Sequence, residues 1–481
     1  MAINSNKINR QVYRSFWDKF SDKADNTSML LNADADNFEA LDRQIFIIKL
    51  AEIIGMLPSF NEKYVVDIGA GIGRFTTEFA KKAKKVVSTD FVASFIEKNR
   101  EKNASFNNIE WRVGDAVGLE FEEESIDMVF TNWLLMYLSD EEVVQFLIKA
   151  IKWLKPGGYL HLRESCSEPS SKKSNNSLHS NLDFTNPTKY RFSSAYINLL
   201  KSIKFKNNNG KYWGFKIHWA CSVNVYIQKN KNWRQVHWLV NKIPLKGEDQ
   251  FLSNFVAMLG EKWPEEQKEW DNKLDKALTE NQQLSSSLGN YLLLNGIGPN
   301  SVVLNFDLRI NDKQPSINVH TLANIINSNI WTISLNPFCY RHSLTLANNN
   351  RDDRIRHSWH NDIESSLQFL KEQITKEMNS KLFDLIIGVD LLENIKREKV
   401  VYASIKNILG GFLLNIETNE TFTKAIKSTE ISKLPSSELF IKDIVPTEIK
   451  GELFNMVRIE SVKEKRTEKI IDWPSPINGG F

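Results

Sequence analysis

Three glycines and one acid lie close together in the stretch VVDIGAGIGRFTTEFA, residues 65–80. Asp67 precedes Gly69, Gly71 and Gly73. Glycine has no Cβ and tolerates positive φ, so a ligand can approach the main chain there. The apolar run before the glycines predicts a strand, and the residues after them predict a helix whose N-terminal N–H groups favour a negative ligand. The stretch therefore predicts either a tight strand–helix turn or the binding loop of a nucleotide-type cofactor.

The spacing of the glycines separates this loop from the nicotinamide and flavin type. The pattern here is G-A-G-I-G, whereas dinucleotide-binding folds carry G-x-G-x-x-G. Two further acids, Asp90 and Asp115, end the next two predicted strands, KVVSTDF and IEWRVGDA. Because the strand ends of an open parallel sheet line one crevice, we expect these acids around the same ligand.

With Asp67 in front of it, the loop resembles the E/D-x-G-x-G-x-G motif of class I S-adenosylmethionine methyltransferases. The resemblance implies that the methionine part of the cofactor lies along the loop. It also implies that Asp90 accepts hydrogen bonds from the ribose hydroxyls. Asp115 would receive the adenine amino group, with Ala116 beside it.

Strands and helices alternate from residue 63 to residue 165, which predicts a doubly wound, parallel α/β sheet of Rossmann-like type. Residues 383–418 repeat the order of residues 126–165: strand, loop, helix, Gly-Gly and strand. The matching first strand of this second copy, at 301–310, is not followed by the three glycines. We therefore expect a degenerate, methyltransferase-like second domain that does not bind the cofactor.

These patterns divide the chain into three predicted parts. They are a catalytic S-adenosylmethionine-dependent methyltransferase domain at 1–245, a helical linker at 246–290 and a degenerate, non-catalytic domain at 291–481.

The composition is that of a globular protein, with 41% hydrophobic and 25% charged residues. Lys and Arg number 62 against 59 Asp and Glu, so the net charge of +3 gives no reason to expect a nucleic-acid partner. The three cysteines are in no metal-ligand spacing, so we expect no metal and reduced thiols in a cytoplasmic protein. No apolar run reaches membrane-spanning length, so we expect no membrane insertion.

A polar segment rich in Ser, Asn and Lys runs from Ser165 to Arg191. Long loops in compact domains are often functional. Its hydroxyls and cations are groups that bind a phosphomonoester. Taken alone, the segment is more simply interpreted as a solvated surface loop.

Five stretches together resemble the phosphoethanolamine N-methyltransferases of plants and nematodes: DIGAGIGRFTTEFA, TNWLLMYLSD, WLKPGGYLHLRESCSEPS, NPTKYRFSS and NWRQVHWL. An intact first domain followed by a degraded second one is similar to the nematode enzyme for the first step. The resemblance implies conversion of phosphoethanolamine to N-methylethanolamine phosphate, on the way to phosphocholine. S-adenosylmethionine would be the cofactor and S-adenosylhomocysteine its product.

The resemblance also implies site residues. For the cofactor these are Gly69, Arg74, Asp90, Phe91, Asp115, Ala116 and Asn132. For the substrate they are Ser165, Ser170, Ser171, Lys173, Tyr190, Arg191, Tyr226, Asn232 and Trp233. Lys173 departs from the Arg that relatives tend to show, and Lys binds phosphate without the bidentate fork of Arg.

The reaction needs a free amine. A primary alkylamine with a pKa of about 10.4 is mostly protonated at pH 7, and removing the proton costs about 4–5 kcal/mol. A base is therefore expected, and the position that carries His in related single-domain enzymes looks like Tyr137 here. Tyr137 either accepts the proton or orients the amine while water removes it, and His237 is a second candidate. Trp133, Tyr137 and Trp233 also suit cation–π contact with the ammonium.

Two other interpretations stay open: a methyltransferase for another small amine, and a non-catalytic scaffold that binds S-adenosylmethionine. The polar Ser165–Arg191 segment disfavours a lipid substrate. We expect a monomer or a homodimer.

Overall fold

The computed structural model describes residues 11–20, 25–26, 29, 35–44, 57–167, 188–245, 262–309, 317–377, 382–391, 399–418, 439–449 and 452–461. Ser170, Ser171 and Lys173 lie outside these ranges. The chain divides into two compact units. The first contains residues 1–271, 337–353 and 358–361, and the second contains 272–336, 354–357 and 362–481.

The elements up to residue 244 belong to the first unit. Its strands are β1 (Tyr64–Ile68), β2 (Lys85–Asp90), β3 (Ile109–Val113), β4 (Ile126–Asn132), β5 (Leu154–Ser165), β6 (Lys204–Lys206), β7 (Tyr212–Ser222) and β8 (Gln235–Pro244). Its helices are α1 (Ala35–Gln44), α2 (Thr76–Ala80), α3 (Ala93–Lys102), α4 (Asp140–Trp153), α5 (Ser193–Ser202) and α6 (Asn224–Asn230). Residues 11–18 are also helical.

The sheet of the first unit has the strand order β3-β2-β1-β4-β5-β8-β7. The first five strands run parallel, and β8 and β7 add antiparallel pairs. The order reverses between β1 and β4, and ligands of open α/β sheets bind at such a point, beyond the carboxyl ends of the strands. The predicted doubly wound parallel sheet is confirmed.

Local sequence explains where α4 begins. Ser139 accepts a hydrogen bond from the N–H of Glu142, whose side chain accepts one from the N–H of Ser139, which forms a capping box. The helix ends at Trp153, and Pro156 already lies in β5. Val143, Phe146 and other apolar residues of α4 are buried in the core of this unit.

The remaining elements follow residue 261. The strands are β9 (Val302–Asp307), β10 (Asn329–Ser334), β11 (Ile355–Trp359), β12 (Phe383–Val389), β13 (Leu409–Thr418), β14 (Leu439–Ile449) and β15 (Glu452–Ser461). The helices are α7 (Lys262–Glu280), α8 (Gln282–Leu294), α9 (Val319–Ile326), α10 (Pro337–Asn350), α11 (Ile363–Glu377) and α12 (Lys399–Ile408).

The second unit has the strand order β10-β9-β12-β13-β15-β14. Position for position, this is the order β2-β1-β4-β5-β8-β7 of the first unit, with the same parallel and antiparallel pairs. The internal repeat seen in the sequence is therefore a repeat of the fold.

One side-chain hydrogen bond recurs in both units. Asp127, near the start of β4, accepts a hydrogen bond from the N–H of Tyr64 at the start of β1, with an N···O distance of 3.0 Å. Asp384, near the start of β12, accepts one from the N–H of Val302 at the start of β9, at 2.7 Å. This shared bond fixes which residues of the two units correspond.

The glycine loop is the part that the second unit does not repeat. In the shared register Asp307 corresponds to Gly69 and Arg309 corresponds to Gly71. The guanidinium of Arg309 contacts the carboxylate of Asp307 at 2.6 Å, and both side chains are buried. An ion pair thus lies where the first unit exposes bare backbone.

The compact units and the predicted parts differ in their boundaries. The first division falls at residues 271–272, inside α7 and inside the predicted linker, and α10 groups with the first unit. The predicted domain bounds were drawn from local sequence patterns, which carry no information about which helix packs on which core. Among the described residues, no helix is long and apolar enough to cross a membrane.

Candidate active site

A cleft of about 920 Å³, part of it open to solvent, lies at the carboxyl ends of β1, β2 and β4. The cleft brings together most of the sequence-predicted cofactor residues and the predicted catalytic one. These are Asp67, Gly69, Gly71, Arg74, Asp90, Phe91, Asp115, Ala116, Asn132 and Tyr137.

The glycine loop turns back onto the neighbouring strand. The N–H groups of Gly69 and Ala70 both donate to the carbonyl of Thr89, at 2.9 Å. Gly69 and Gly71 have φ of 72° and 55°, in the left-handed region that favours glycine. The loop thus presents main chain, without side chains at these two positions, to the cleft.

Gly73 has a further role besides the one that the motif predicts. It does not line the cleft, although its φ is also positive at 78°. A Cβ at this position would lie 2.2 Å from Oδ1 of Asn99 on α3. Gly73 therefore lets the loop pack against α3, a packing role in addition to the cofactor role that the motif predicts.

Asp67 is buried beneath the loop and lines the cleft. Its Oδ2 accepts a hydrogen bond from Oγ1 of Thr76 at 2.6 Å, and Thr76 lies 3.0 Å from Oγ of Ser88. Burial raises the pKa of Asp67 to about 7, and the nearby carboxyl of Asp90 adds to this while Thr76 opposes it. The acid anchors the loop to α2.

Asp90 ends β2 and faces the cleft. Its Oδ2 accepts from the N–H of Gly71 and its Oδ1 from the N–H of Val92, both at 2.9 Å. Burial raises the pKa of Asp90 to about 6, although these N–H groups lower it. Each carboxylate oxygen has a second lone pair, so the group can still accept hydrogen bonds from a diol.

Asp115 lies beyond the end of β3 and not in it, because the strand ends at Val113. Its Oδ1 accepts from the N–H of Val117 at 3.0 Å, which makes a turn that carries Asp115 and Ala116 into the cleft. The predicted strand end was therefore two residues late, and Asp115 lines the cleft.

Arg74 lines the cleft, and its guanidinium belongs to a buried ionic network. It contacts Asp42 at 3.3 Å and Glu39 at 3.5 Å, both on α1. Asp42 also pairs with Arg163 of β5 at 2.8 Å. This network could not be predicted from the sequence, because its partners are distant along the chain.

The turn after β4 carries Trp133 and Tyr137 to the other side of the cleft. Trp133 has a φ of 57°, and Leu135–Tyr137 form a single 3₁₀ turn. The ring of Tyr137 makes edge contacts with Tyr13, at a centroid distance of 5.9 Å, and with Trp17, at 5.6 Å. Tyr13 and Trp17 are aromatic residues that the sequence analysis missed.

The structure places a second group of sequence-predicted residues near this turn. Nε1 of Trp133 donates to Gln235 at 2.8 Å, and Nε2 of Gln235 donates to Oγ of Ser165 at 3.0 Å. Tyr226 packs near Trp133, and burial raises its pKa. Tyr190 packs against the cluster that contains Tyr137.

Other predicted residues do not line the cleft. Trp233 is fully buried in the core, and Asn232 accepts from the N–H of Arg234 in a turn before β8. The Arg191 guanidinium binds Asp140 and two main-chain carbonyls.

His237, the second candidate for the base, is also outside the cleft. Its Nδ1 lies 3.3 Å from His161, its Nε2 lies 3.0 Å from Sγ of Cys221, and burial holds its pKa well below the usual range.

Glu164 is a further residue that the sequence analysis did not identify. It lies at the end of β5 with 1% exposure, and its carboxylate accepts hydrogen bonds from the N–H groups of Leu134, Leu135 and Met136. Burial raises its pKa to about 7, while these N–H groups lower it. The only sequence signal was an acid at a strand end, which is common.

The sheet order, the glycine loop and the strand-end acids define the first unit as a class I S-adenosylmethionine-dependent methyltransferase. The family model described as a methyltransferase domain matches residues 65–158.

The whole chain is similar to one subgroup of that class. It is 41% identical over 434 residues to phosphoethanolamine N-methyltransferase 1 of Caenorhabditis elegans, covering 89% of this chain and 87% of that protein. It is 35% identical to phosphoethanolamine N-methyltransferase 1 of Triticum aestivum over 52% of this chain and 48% of the plant protein. The chain belongs to the phosphoethanolamine N-methyltransferase family.

A solved structure agrees over nearly the full length. Haemonchus contortus phosphoethanolamine N-methyltransferase 1, in complex with phosphoethanolamine and S-adenosylhomocysteine, has a TM-score of 0.79 and 37% identity. The similarity covers 95% of this chain and 98% of that one. The fold of this chain is therefore similar to that of a known member over nearly the full length of both.

Proposed function

We propose that this protein transfers a methyl group from S-adenosylmethionine to the nitrogen of phosphoethanolamine and releases N-methylethanolamine phosphate. The observation that carries the proposal is the convergence of Gly69, Gly71, Asp90 and Asp115 on one cleft, with Tyr137 facing them, in a chain of this family.

The residues of the cleft fit the cofactor. Gly69 and Gly71 present bare main chain to its methionine part, Asp90 suits the ribose diol, and Asp115 and Ala116 suit the adenine. S-adenosylmethionine supplies the activated methyl group when it is bound. Phe91 and Asn132 complete the predicted cofactor side of the cleft.

The acceptor lies, in this proposal, beside the aromatic turn after β4. The turn brings Trp133 and Tyr137 to the cleft, and Tyr13 and Trp17 pack on Tyr137. Aromatic faces attract an alkylammonium group, which suits the protonated acceptor before reaction. Ser165 is linked to Trp133 through Gln235. Tyr226 packs near Trp133 and Tyr190 packs against the cluster of Tyr137, and all three remain the proposed substrate residues.

Tyr137 acts on the amine nitrogen. In its phenolate form Tyr137 accepts a proton from the ammonium and becomes the neutral phenol. Otherwise its neutral hydroxyl orients the amine by a hydrogen bond while water takes the proton. Alignment of the nitrogen with the methyl group at about 3–3.5 Å recovers several kcal/mol of entropy.

The second unit is proposed to be non-catalytic. The Arg309–Asp307 ion pair occupies the place of the glycine loop, and Ser334 stands in register with Asp90. A side chain at these points blocks approach to the backbone, and Ser334 removes the carboxylate that a ribose needs. We further propose a cytoplasmic monomer or homodimer, supported by the lack of a disulfide among Cys166, Cys221 and Cys339.

Calorimetric titration of the full-length protein tests the function. With S-adenosylhomocysteine present, phosphoethanolamine is expected to bind, and its mono- and dimethyl forms are the comparison ligands. Failure to bind any of the three by a protein that binds S-adenosylhomocysteine would contradict the proposed acceptor. Such a result would favour a methyltransferase for another small amine, or a scaffold without turnover.

A further inference from the structure

The turn from Leu134 to Leu138 has only two hydrogen bonds within its own main chain, from the N–H of Tyr137 to the carbonyl of Leu134 and from the N–H of Leu138 to the carbonyl of Leu135. Its 3₁₀ segment contains only Leu135–Tyr137, and short 3₁₀ turns have poor hydrogen-bond geometry. Buried backbone groups nevertheless need partners. The partners in this turn come largely from outside it.

Glu164 satisfies the amide side of the turn. Its Oε1 accepts from the N–H groups of Leu134 at 3.1 Å and Leu135 at 2.9 Å, and its Oε2 accepts from Met136 at 3.3 Å. Three successive N–H groups thus converge on one buried carboxylate. Hydrogen bonds to a charged group are stronger than neutral ones, so the amide side is held firmly.

Arg191 satisfies the carbonyl side of the same turn. Its Nη1 donates to the carbonyl of Leu135 at 2.9 Å and its Nη2 to the carbonyl of Leu138 at 2.7 Å. Its Nε donates to Asp140 at 2.8 Å, which fixes the guanidinium in turn. The N–H of Lys189 adds a bond to the carbonyl of Met136 at 2.8 Å.

Burying a carboxylate and a guanidinium is costly, and an apolar pair of similar volume often stabilises a fold as well or better. Both groups bind the main chain of a turn in which Leu134 and Tyr137 line the reaction cleft. Because Glu164 is 1% and Arg191 is 5% exposed, neither presents its charge to solvent.

We infer that Glu164 and Arg191 are positioning residues. Glu164 binds the N–H groups of the turn and Arg191 binds its carbonyl groups, and together they place Tyr137 against the acceptor amine. This inference rests on the proposed function and gives Arg191 a different role from that of a phosphate ligand. These hydrogen bonds go to main-chain atoms, so they fix the backbone conformation of residues 134–138 and do not depend on the side chains there.

Steady-state kinetics of full-length variants separates the two roles of Arg191. Glu164→Gln and Arg191→Gln are each expected to lower kcat by about 10²-fold, the loss typical of a small misplacement, with KM for phosphoethanolamine nearly unchanged. The double variant is expected to lose little more than either single one, because both act on one turn. Glu101→Gln, an exposed acid of α3, is the matched control.

Two further measurements distinguish a local change in the turn from a general loss of folding. Hydrogen exchange of the amides of residues 134–136 is expected to accelerate in Glu164→Gln, while calorimetric affinity for S-adenosylhomocysteine stays within about two-fold, since the cofactor loop is untouched. Faster exchange with unchanged kcat would overturn the inference, and so would an Arg191→Gln variant that raises KM alone. Wild-type turnover is measured first, so a failure of the proposed function is seen in the wild type and a failure of this inference only in the variants.

Discussion

The carboxylate of Asp90 accepts a hydrogen bond from the N–H of Gly71 across 2.9 Å. The acid at the end of β2 therefore shapes the glycine loop as well as facing the cleft. The glycine loop and the acid at the end of β2 are thus joined by a hydrogen bond, so a substitution at Asp90 is expected to change the conformation of the loop as well as the contact with the cofactor.

Replacement of Asp90 by Asn is the first prediction. The amide keeps the shape but loses the charge, and its NH₂ group opposes either Gly71 N–H or Val92 N–H. Loss of a charge-assisted hydrogen bond costs about 1.5–3 kcal/mol, so the Kd for S-adenosylhomocysteine should rise about 10- to 100-fold. Calorimetry measures this. Glu101→Gln is the control, and an unchanged Kd in Asp90→Asn would show that Asp90 does not contact the cofactor.

Gly73→Ala and Gly157→Ala form a matched pair for stability. Both glycines have positive φ, of 78° and 75°, so each alanine costs about 1–2 kcal/mol of backbone strain. Only at Gly73 would the new Cβ also meet Asn99, at 2.2 Å, whereas nothing lies within 4 Å at Gly157. Urea unfolding should show Gly73→Ala to be the less stable variant by a further ~1–3 kcal/mol. Equal losses in the two variants would contradict the packing role of Gly73.

Tyr137→Phe removes the hydroxyl and leaves the ring contacts with Tyr13 and Trp17. If the hydroxyl accepts or directs the proton of the amine, kcat should fall about 10²- to 10⁴-fold. The affinity for S-adenosylhomocysteine should hardly change, because the ring still closes the cleft. Tyr159→Phe, on β5 and outside the cleft residues, is the control. A Tyr137→Phe variant with full kcat would leave Tyr137 only a packing role.

The stability of the ligand-free protein should depend on pH in a definite direction. Burial raises the pKa of Glu164 to about 7, above its ordinary value, so the folded state binds the proton more tightly than the unfolded chain does. The free energy of unfolding that this raised pKa contributes is fully present below about pH 4 and is lost as the pH rises toward 7. For Glu164 the contribution amounts to at most about 3–4 kcal/mol. Asp67 and Asp90, with raised pKa values of about 7 and 6, act in the same direction.

Glu164→Gln carries no titrating group at this position, so its loss of unfolding free energy between pH 4.5 and 7 should be smaller than that of the wild type. Denaturant unfolding across this range measures the slope, and Glu97→Gln, which is exposed, should keep the wild-type slope. Identical slopes in all three proteins would show that burial does not raise the pKa of Glu164.

Much of the first unit could be predicted because its signals are local. The apolar run before Asp67, the glycines and the acids after the next strands all lie within a few residues of the elements that they mark. The order of elements in the repeat was also visible in the sequence, whereas its register follows from the hydrogen bonds that Asp127 and Asp384 accept in the structure.

What was missed depends on contacts between distant parts of the chain. Glu164 grips a turn 28 to 30 residues away, and Arg163 meets Asp42 across 121 residues. The motif gives three equivalent glycines, and only the position of Asn99 reveals the packing role of Gly73. Residue types at such positions are ordinary, so single-sequence patterns do not distinguish them.

The most direct measurement is methyl transfer itself. Purified full-length protein is incubated with methyl-labelled S-adenosylmethionine and phosphoethanolamine, and the labelled product is identified by mass spectrometry. We predict N-methylethanolamine phosphate in the wild type and at least a ten-fold lower rate in Asp90→Asn at sub-saturating cofactor. Absence of labelled product from a folded protein that binds both S-adenosylhomocysteine and phosphoethanolamine would contradict the proposed function.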